Sequence, residues 1–293
     1  MGTRGSALAL TQSAWVASEL KKKTPGLEVA TLVIKTSGDL FAKKTPKAIA
    51  ALQGTKGLFI KEIEEALVSG GVDFAVHSAK DLPADLAAGL FIAAYPPRED
   101  PRDVFIGRGV CWKDIEEGAR IGTSALRRRV QLLMAKPGLE IKALRGNVDT
   151  RLRRLERGDF EGLVLAAAGL RRLGRGDVAH ELISTDVIVP APGQGALAIE
   201  ARKGRQDVAH IISAIDHAPT RREVELERAF LAAVGGGCST PLGALARTQT
   251  GGLRLTAFWS REDGQGAQRL SGVCPNSADS GNWAAGLADE IKR

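Results

Sequence analysis

ARIGTSALRRRVQLLMAKPGLEIKALRGNVDTRLRRLERGDFEGLVLAAAGLRRLG, residues 119–174, is where the periodicity is clearest. ARIGT reads as a strand, SALRRRVQLLMA as a helix, LEIKAL as a strand, NVDTRLRRLERG as a glycine-ended helix, FEGLVLAA as a strand and AGLRRLG as a short helix. This βαβαβ order predicts a mostly parallel sheet with helices on both faces, and such sheets bind ligands at the carboxyl ends of their strands.

Working outward, the same scheme recurs before this stretch. Residues 6–22 have an amphipathic helical period, VATLVIK (29–35) reads as a strand, and 58–68 as a helix after Gly57. VDFAVHS (72–78) is a strand running into the loop KDLP. Residues 36–57 carry Gly, Thr, Lys and Pro without a period, which predicts a mobile loop over a site. PPREDPRD (96–103) has the composition of a boundary, and PAPGQGALAIEA (190–201) reads as a turn and a strand crossing back. Beyond about residue 215 the helix REVELERAFLAAV stops at three glycines, Gly235–Gly237, a helix-ending signal, and Cys238 follows on a loop. The strand LRLTAFWS and a terminal helix from about residue 277 complete a small α+β unit. The predicted class is therefore α/β with mixed, mostly parallel sheets: lobe 1 at 1–96 and 194–212, lobe 2 at 101–190, and a C-terminal domain at 215–293.

The 293 residues, 44% hydrophobic and 26% charged, exclude a disordered, collagenous or coiled-coil chain. No apolar run approaches the roughly 18 residues of a spanning helix, and MGTRGSALAL lacks the apolar core of a secretory signal. Three cysteines, none in a CxxC pair, argue for a reducing, cytoplasmic setting. The net charge of +7 is unevenly spread: residues 120–175 hold 14 Lys or Arg against 5 Asp or Glu, and the remainder 27 against 29. Twelve of those 14 are arginines, whose planar fork matches carboxylate or phosphate. Nucleic acid fits poorly, because single-strand binders interleave stacking aromatics and Phe160 is the only aromatic of that segment. A solvated arginine face and a multicarboxylate small molecule are the other readings.

Four predicted strand-to-helix turns carry arginines. GTSALRR offers Thr123, Ser124, Arg127 and Arg128; ALRGNVDTR offers Arg145 and Arg151; TRGSALALTQ offers Arg4, Ser6 and Gln12; GLRRLG offers Arg171 and Arg172. Helix N-termini favour anions, and in a parallel sheet these turns converge on one edge. HSAKDLP places Ser78, Lys80 and Asp81 at a strand end; Asp81 there is either a proton-transferring carboxylate or a turn cap. His77 reads as a packed strand residue, and His180, His210 and His217 lack ligand spacing, so no metal site is expected. Cys238, glycine-flanked and accessible, is either inert or a nucleophile; Cys111 and Cys274 read as structural.

Nine stretches in order, GTRGSALAL, KGLFIKEIE, AVHSAKDLP, REDPRD, GTSALRR, LRGNVDTRL, AAAGLRRLG, PGQGALAIE and GGGCSTPLGA, together resemble the porphobilinogen deaminase family over essentially the whole chain. The resemblance implies two lobes like periplasmic binding proteins and a third domain bearing the cysteine. It implies a transferase that joins four porphobilinogen units head to tail, releasing ammonia, to give hydroxymethylbilane in tetrapyrrole biosynthesis. It further implies a dipyrromethane cofactor on a thioether to Cys238, held by Ser78, Lys80, Thr123, Ser124, Arg127, Arg128 and Arg145. Arg4, Ser6, Gln12, Arg151, Arg172 and Lys56 are implied to hold substrate or growing chain, and Asp81 to assist deamination, steady cationic intermediates and accept the coupling proton. A monomer that passes its product to the next tetrapyrrole enzyme, with no nucleic-acid or membrane partner, completes the expectation. The alternative is a non-catalytic, two-lobed binder of multicarboxylates.

The sequence departs from the family pattern in places. It starts at MGTRGS where relatives usually carry a few strand residues first, which leaves two readings, a clipped first strand or a true start upstream, and predicts a poorly anchored Arg4. Ala125 stands where serine is common, Ala7 replaces a common proline, and Leu52 stands where some relatives have lysine, leaving Lys56 as that loop's cation.

Overall fold

The computed structural model describes residues 1–37, 60–176, 178, 180–235 and 240–293. Cys238, Lys56, Leu52 and the loop predicted at 36–57, apart from its first two residues, lie outside them.

Three sheets organise the chain. The first joins β1 (Gly2–Arg4), β2 (Leu32–Ile34), β3 (Phe74–Ser78), β4 (Leu90–Ala94) and β10 (Leu197–Arg202) in the order β2-β1-β3-β10-β4. The second joins β5 (Asp103–Gly107), β6 (Arg120–Gly122), β7 (Glu140–Lys142), β8 (Gly162–Ala166) and β9 (Glu181–Leu182) in the order β7-β6-β8-β5-β9. In each, one strand runs against the other four: β10 is antiparallel to β3 and β4, and β5 is antiparallel to β8 and β9. The remaining pairings are parallel. The third sheet is an antiparallel meander of β11 (Leu242–Gln249), β12 (Gly252–Trp259) and β13 (Gln268–Pro275). The expected class, two mixed α/β lobes and a small α+β unit, rests on this strand order.

Strand β1 does form. Gly2–Arg4 pairs along its length with Leu32–Ile34 and at Gly2 with Ala75, and Thr3 is fully buried, its hydroxyl accepting from Ser13 at 2.7 Å. Helix α1 (Ala7–Lys23) follows at once, because Ser6 caps it by accepting from Ala9 N at 3.3 Å, while Lys21–Lys23 complement the dipole at its other end. Its inner face puts Val16 and Leu20 against Phe74, Leu197 and Ile199, with α6 (Gln206–Ser213) on the same side. On the other side α2 (Lys61–Val68) packs Ile63 and Leu67 against Ala75 and Leu90. In the second sheet α3 (Leu126–Ala135) covers one face through Leu132, packed with Phe105, Ile121 and Val164. Helices α4 (Val148–Glu156) and α5 (Ala167–Arg172) cover the other through Leu152, Leu155 and Leu170. Helix α7 (Ala218–Val234) ends where Gly235 turns left-handed at φ 70°, and packs with α8 (Ser280–Ile291) over the third sheet.

Two segments, residues 95–102 and 183–196, run between the first two sheets. They meet backbone to backbone: Glu99 N donates to Gly195 O at 3.1 Å. A Cβ on Gly195, whose φ is 88°, would stand 2.4 Å from Glu99 O, so no side chain fits there. Glu227 of α7, fully buried, fastens this crossing to the third unit. It accepts from Arg98 Nη1 and Nη2 at 2.7 and 3.0 Å, from Gly193 N at 2.6 Å and from Ala246 N at 2.8 Å. Among the described residues no helix is long and apolar enough to cross a membrane.

Candidate active site

Strand β3 ends at Ser78 and passes into a single 3-10 turn, Ala79–Asp81. Ser78 and Gln12 face each other across the start of the site: Gln12 Nε2 and Ser78 Oγ are 3.1 Å apart, and Gln12 Oε1 lies 3.2 Å from the same hydroxyl. Gln12 is buried, so its reach is to Ser78. Asp81 is exposed and Lys80 half-buried beside it. Desolvation pulls the Lys80 ammonium down from 10.5 to about 8; Asp81 opposes the shift and Arg128 adds to it.

The second cluster of cations enters from α3. Arg127 and Arg128 are 5% and 7% exposed, on the inner face of a helix that also buries Val130, Gln131 and Leu132. Both converge on Asp103, the fully buried first residue of β5. Arg127 Nη1 donates to Asp103 Oδ2 at 2.8 Å and to Val189 O at 2.7 Å. Arg128 donates through Nε and Nη2 to Oδ1 at 3.0 and 2.7 Å. Burial by itself would raise the Asp103 carboxyl; the two guanidiniums override it and hold it well below the usual carboxylate range. Arg127 is itself lowered, first by desolvation, despite Asp103. Thr123 is buried, its N–H bonded to Lys142 O, and the Ser124 hydroxyl donates to Leu144 O, tying two strand-to-helix turns together. Ala125 occupies the cap position of α3 and offers no acceptor, so a serine here would also have served as the helix cap.

Arg145 is exposed on the second of these turns. Arg151, half-buried in α4, donates to Gly146 O at 2.8 Å and is lowered to about 10 by desolvation and then by Arg128. Arg172 donates to Gly195 O at 2.6 Å and is likewise lowered to about 10 by desolvation, with Glu99 opposing. Arg4 closes β1 half-buried, and Ser6 is occupied as the α1 cap. Helices α1 and α5, which belong to different sheets, touch, so Gln12's helix and Arg172's helix are neighbours.

The structure therefore brings Lys80 within electrostatic reach of Asp81, Arg127 and Arg128, and Arg151 within reach of Arg128. It leaves Arg145 at the rim and engages Gln12, Ser124 and Ser6 with other protein groups. Asp103, Gln194 and Glu227 were not singled out from sequence, although all lie within quoted stretches. A signal existed for Asp103: two arginines on the inner face of an amphipathic helix need a buried carboxylate. Among the described residues no group of three or more His, Cys, Asp or Glu is placed to hold a metal ion. His77 is buried against Glu200, Nε2 to Oε2 3.1 Å, and Cys274 lies in the third unit's core.

Cations lowered by desolvation and outnumbering the carboxylates beside them fit a group bearing several carboxylates. Comparison with known proteins agrees. Residues 1–210 match the model of the porphobilinogen deaminase dipyromethane cofactor binding domain, and residues 221–292 that of the porphobilinogen deaminase C-terminal domain. A porphobilinogen deaminase from Geotalea uraniireducens is 47% identical over 265 residues, covering 90% of this chain and 82% of its own. Those of Syntrophus aciditrophicus and Trichlorobacter lovleyi are 51% and 44% identical, over 84% and 99% of this chain and 79% and 92% of theirs. Among solved structures, the ligand binding component of an ABC-type import system from Staphylococcus aureus overlaps 75% of this chain and 69% of its own. It does so at 11% identity and a TM-score of 0.39, too distant to bear on function. By both family models and by its relatives, the chain belongs to the porphobilinogen deaminase family.

Proposed function

We propose that this chain is a hydroxymethylbilane synthase, a transferase that joins four porphobilinogen units head to tail and releases ammonia. One observation carries the reading beyond family membership: Lys80 stands among Arg127, Arg128, Asp81 and Asp103, with Arg151 beside Arg128, so that among these described groups the cations outnumber the carboxylates. Desolvated cations left in excess call for anionic ligands. Porphobilinogen carries an acetate and a propionate, so each added unit brings two carboxylates.

The dipyrromethane group, on a thioether to Cys238, supplies the pyrrole carbon to which the units are added. Helix α7 ends at Gly235, and the cysteine follows three residues later. Lys80, Arg127, Arg128 and Arg145 hold its carboxylates, and Ser78, Thr123 and Ser124 line the turns beside them. Arg4, Ser6, Gln12, Arg151, Arg172 and Lys56 serve the incoming unit and the growing chain. Asp81 is exposed next to Lys80, and its carboxylate oxygens take up the proton lost at coupling and steady positive charge as it develops. The working division is lobe 1 at 1–96 and 194–212, lobe 2 at 101–190, and the cysteine-bearing domain at 215–293. The protein acts as a cytoplasmic monomer and releases its product to a following tetrapyrrole enzyme.

Intact mass of the denatured protein beside its Cys238→Ser variant tests this. An excess of two pyrrole units, absent from the variant, supports the enzyme. An unmodified mass after expression with ample porphobilinogen leaves a two-lobed multicarboxylate binder.

A further inference from the structure

We infer that Asp103 is a positioning residue: it presents the unpaired edges of Arg127 and Arg128 to the ligand and fixes that presentation to the crossing of the two interlobe segments. The inference rests on the proposed function, in which these arginines hold carboxylates.

The geometry divides each guanidinium into two sides. Asp103 takes Nη1 of Arg127, and Nε with Nη2 of Arg128. Among the described residues, Nε and Nη2 of Arg127 and Nη1 of Arg128 have no partner, yet none of them is sealed from solvent. A planar fork bound along one side can meet a second carboxylate only along the other, so the buried aspartate sets the direction of approach. One carboxylate also neutralises only one of two adjacent charges, leaving a net cation for the ligand.

The same Oδ1 that receives Arg128 receives Gln194 Nε2 at 2.9 Å, and that amide also donates to Pro101 O at 2.7 Å. Gln194 lies on the returning interlobe segment and Pro101 on the outgoing one. Val189, whose carbonyl accepts from Arg127, is held by Gln131 through Val189 N to Oε1 at 2.8 Å. Arg269 of the third unit donates to that same Oε1 at 3.1 Å. The arginine pair is thus supported from the crossing of the two segments and not merely from its own helix. Support of this kind around a ligand-holding side chain is what keeps a site within the tolerance its chemistry needs.

The experiment compares purified wild type, Asp103→Asn, Asp103→Glu, Arg128→Met and the double variant Asp103→Asn/Arg128→Met. The fraction carrying the two-pyrrole mass is measured in the soluble, folded protein, with circular dichroism as the folding control. Asp103→Asn must turn an N–H toward one of its donors, and loading is expected to fall about tenfold or more. Asp103→Glu, which keeps the charge, recovers part of it, and the double variant loads no worse than Arg128→Met. A role confined to stability would lower the yield and leave loading of the folded fraction unchanged; that result, or fully additive losses, overturns the inference. If Asp103→Asn does not fold, arginine side-chain NMR on the Cys238→Ser protein decides. An Arg128 Nε–H exchanging slowly without cofactor supports preorganisation, and exchange as fast as at surface arginines overturns it. Absence of the mass from wild type instead sinks the enzyme reading, a different outcome from normal loading in Asp103→Asn.

Discussion

Lys80→Met probes the excess of positive charge at its lysine, the member brought down to about 8. In the protein without ligand, desolvation moves Lys80 from 10.5 to about 8, against the pull of Asp81. A shift of that size amounts to about 3 kcal/mol against the ammonium at full burial, or about 2 kcal/mol once the water kept by a half-buried side chain is allowed for. The fold favours the neutral amine, whereas the unfolded chain stays protonated up to its ordinary value. Between about pH 8 and 10.5 the unfolded state therefore binds the additional proton, and native stability rises with pH through that window. Below pH 8 the full penalty is present. Lys80→Met, made in the Cys238→Ser background so that no cofactor compensates the charge, should be about 2 kcal/mol more stable than its parent at pH 7. By pH 9.5 the advantage should shrink to less than half. Urea unfolding at the two pH values measures this. A variant no more stable than its parent at pH 7, or an advantage that does not change with pH, would refute the claim that Lys80 is held charged against its surroundings.

The same logic gives two further predictions. Asp81→Asn should keep the two-pyrrole mass while turnover falls roughly a thousandfold. A carboxylate about 4 Å from a unit cation contributes on the order of 4 kcal/mol at an effective dielectric of 20; normal turnover in a porphobilinogen assay would remove Asp81 from the chemistry. Glu227→Gln removes the nearer of the two carboxylates of buried Arg98, leaving Glu223 at 3.8 Å, and weakens the bonds to Gly193 N and Ala246 N. It should lose roughly 3 kcal/mol of stability, and guanidinium unfolding showing less than about 1 kcal/mol of loss would mean that the hub relaxes onto other partners.

What the sequence conveyed follows from how local each signal is. The strand and helix alternation in residues 119–174 is a matter of neighbours, and β6, β7, β8 and α3–α5 all lie where the pattern put them. The reversal of β5 and β10 is not local: each is inserted antiparallel between strands from elsewhere in the chain, and no period announces that. The site divides the same way. Lys80 and Asp81 were legible as a strand end, because the turn Ala79–Asp81 is made by its own segment. Arg127 and Arg128 were legible as ligand-type residues but not as buried ones, since their partner Asp103 stands 24 and 25 residues away. Gln194 and Gly193 meet their carboxylates across 91 and 34 residues, beyond any pattern a single sequence displays.

The arginine excess itself changes meaning once its members are located. Arg120, Arg154, Arg171 and Arg175 pair with Glu161, Asp159, Glu99 and Asp149 near the surface. Such pairs contribute little stability, but they remove much of the diffuse field that a nucleic acid would feel. Arg127, Arg128, Arg151 and Arg172 are instead withdrawn from solvent, and apart from the one shared Asp103 their hydrogen bonds go to backbone carbonyls. Carbonyls orient a guanidinium without cancelling its charge. The chain thus pairs four of its outward arginines, leaves Arg129, Arg145, Arg153 and Arg157 exposed without an ion pair among the described residues, and keeps its inward ones short of carboxylates. The inward group is what a small multicarboxylate ligand needs, because withdrawn cations short of carboxylates bind a compact anion more strongly than the solvated outer ones do.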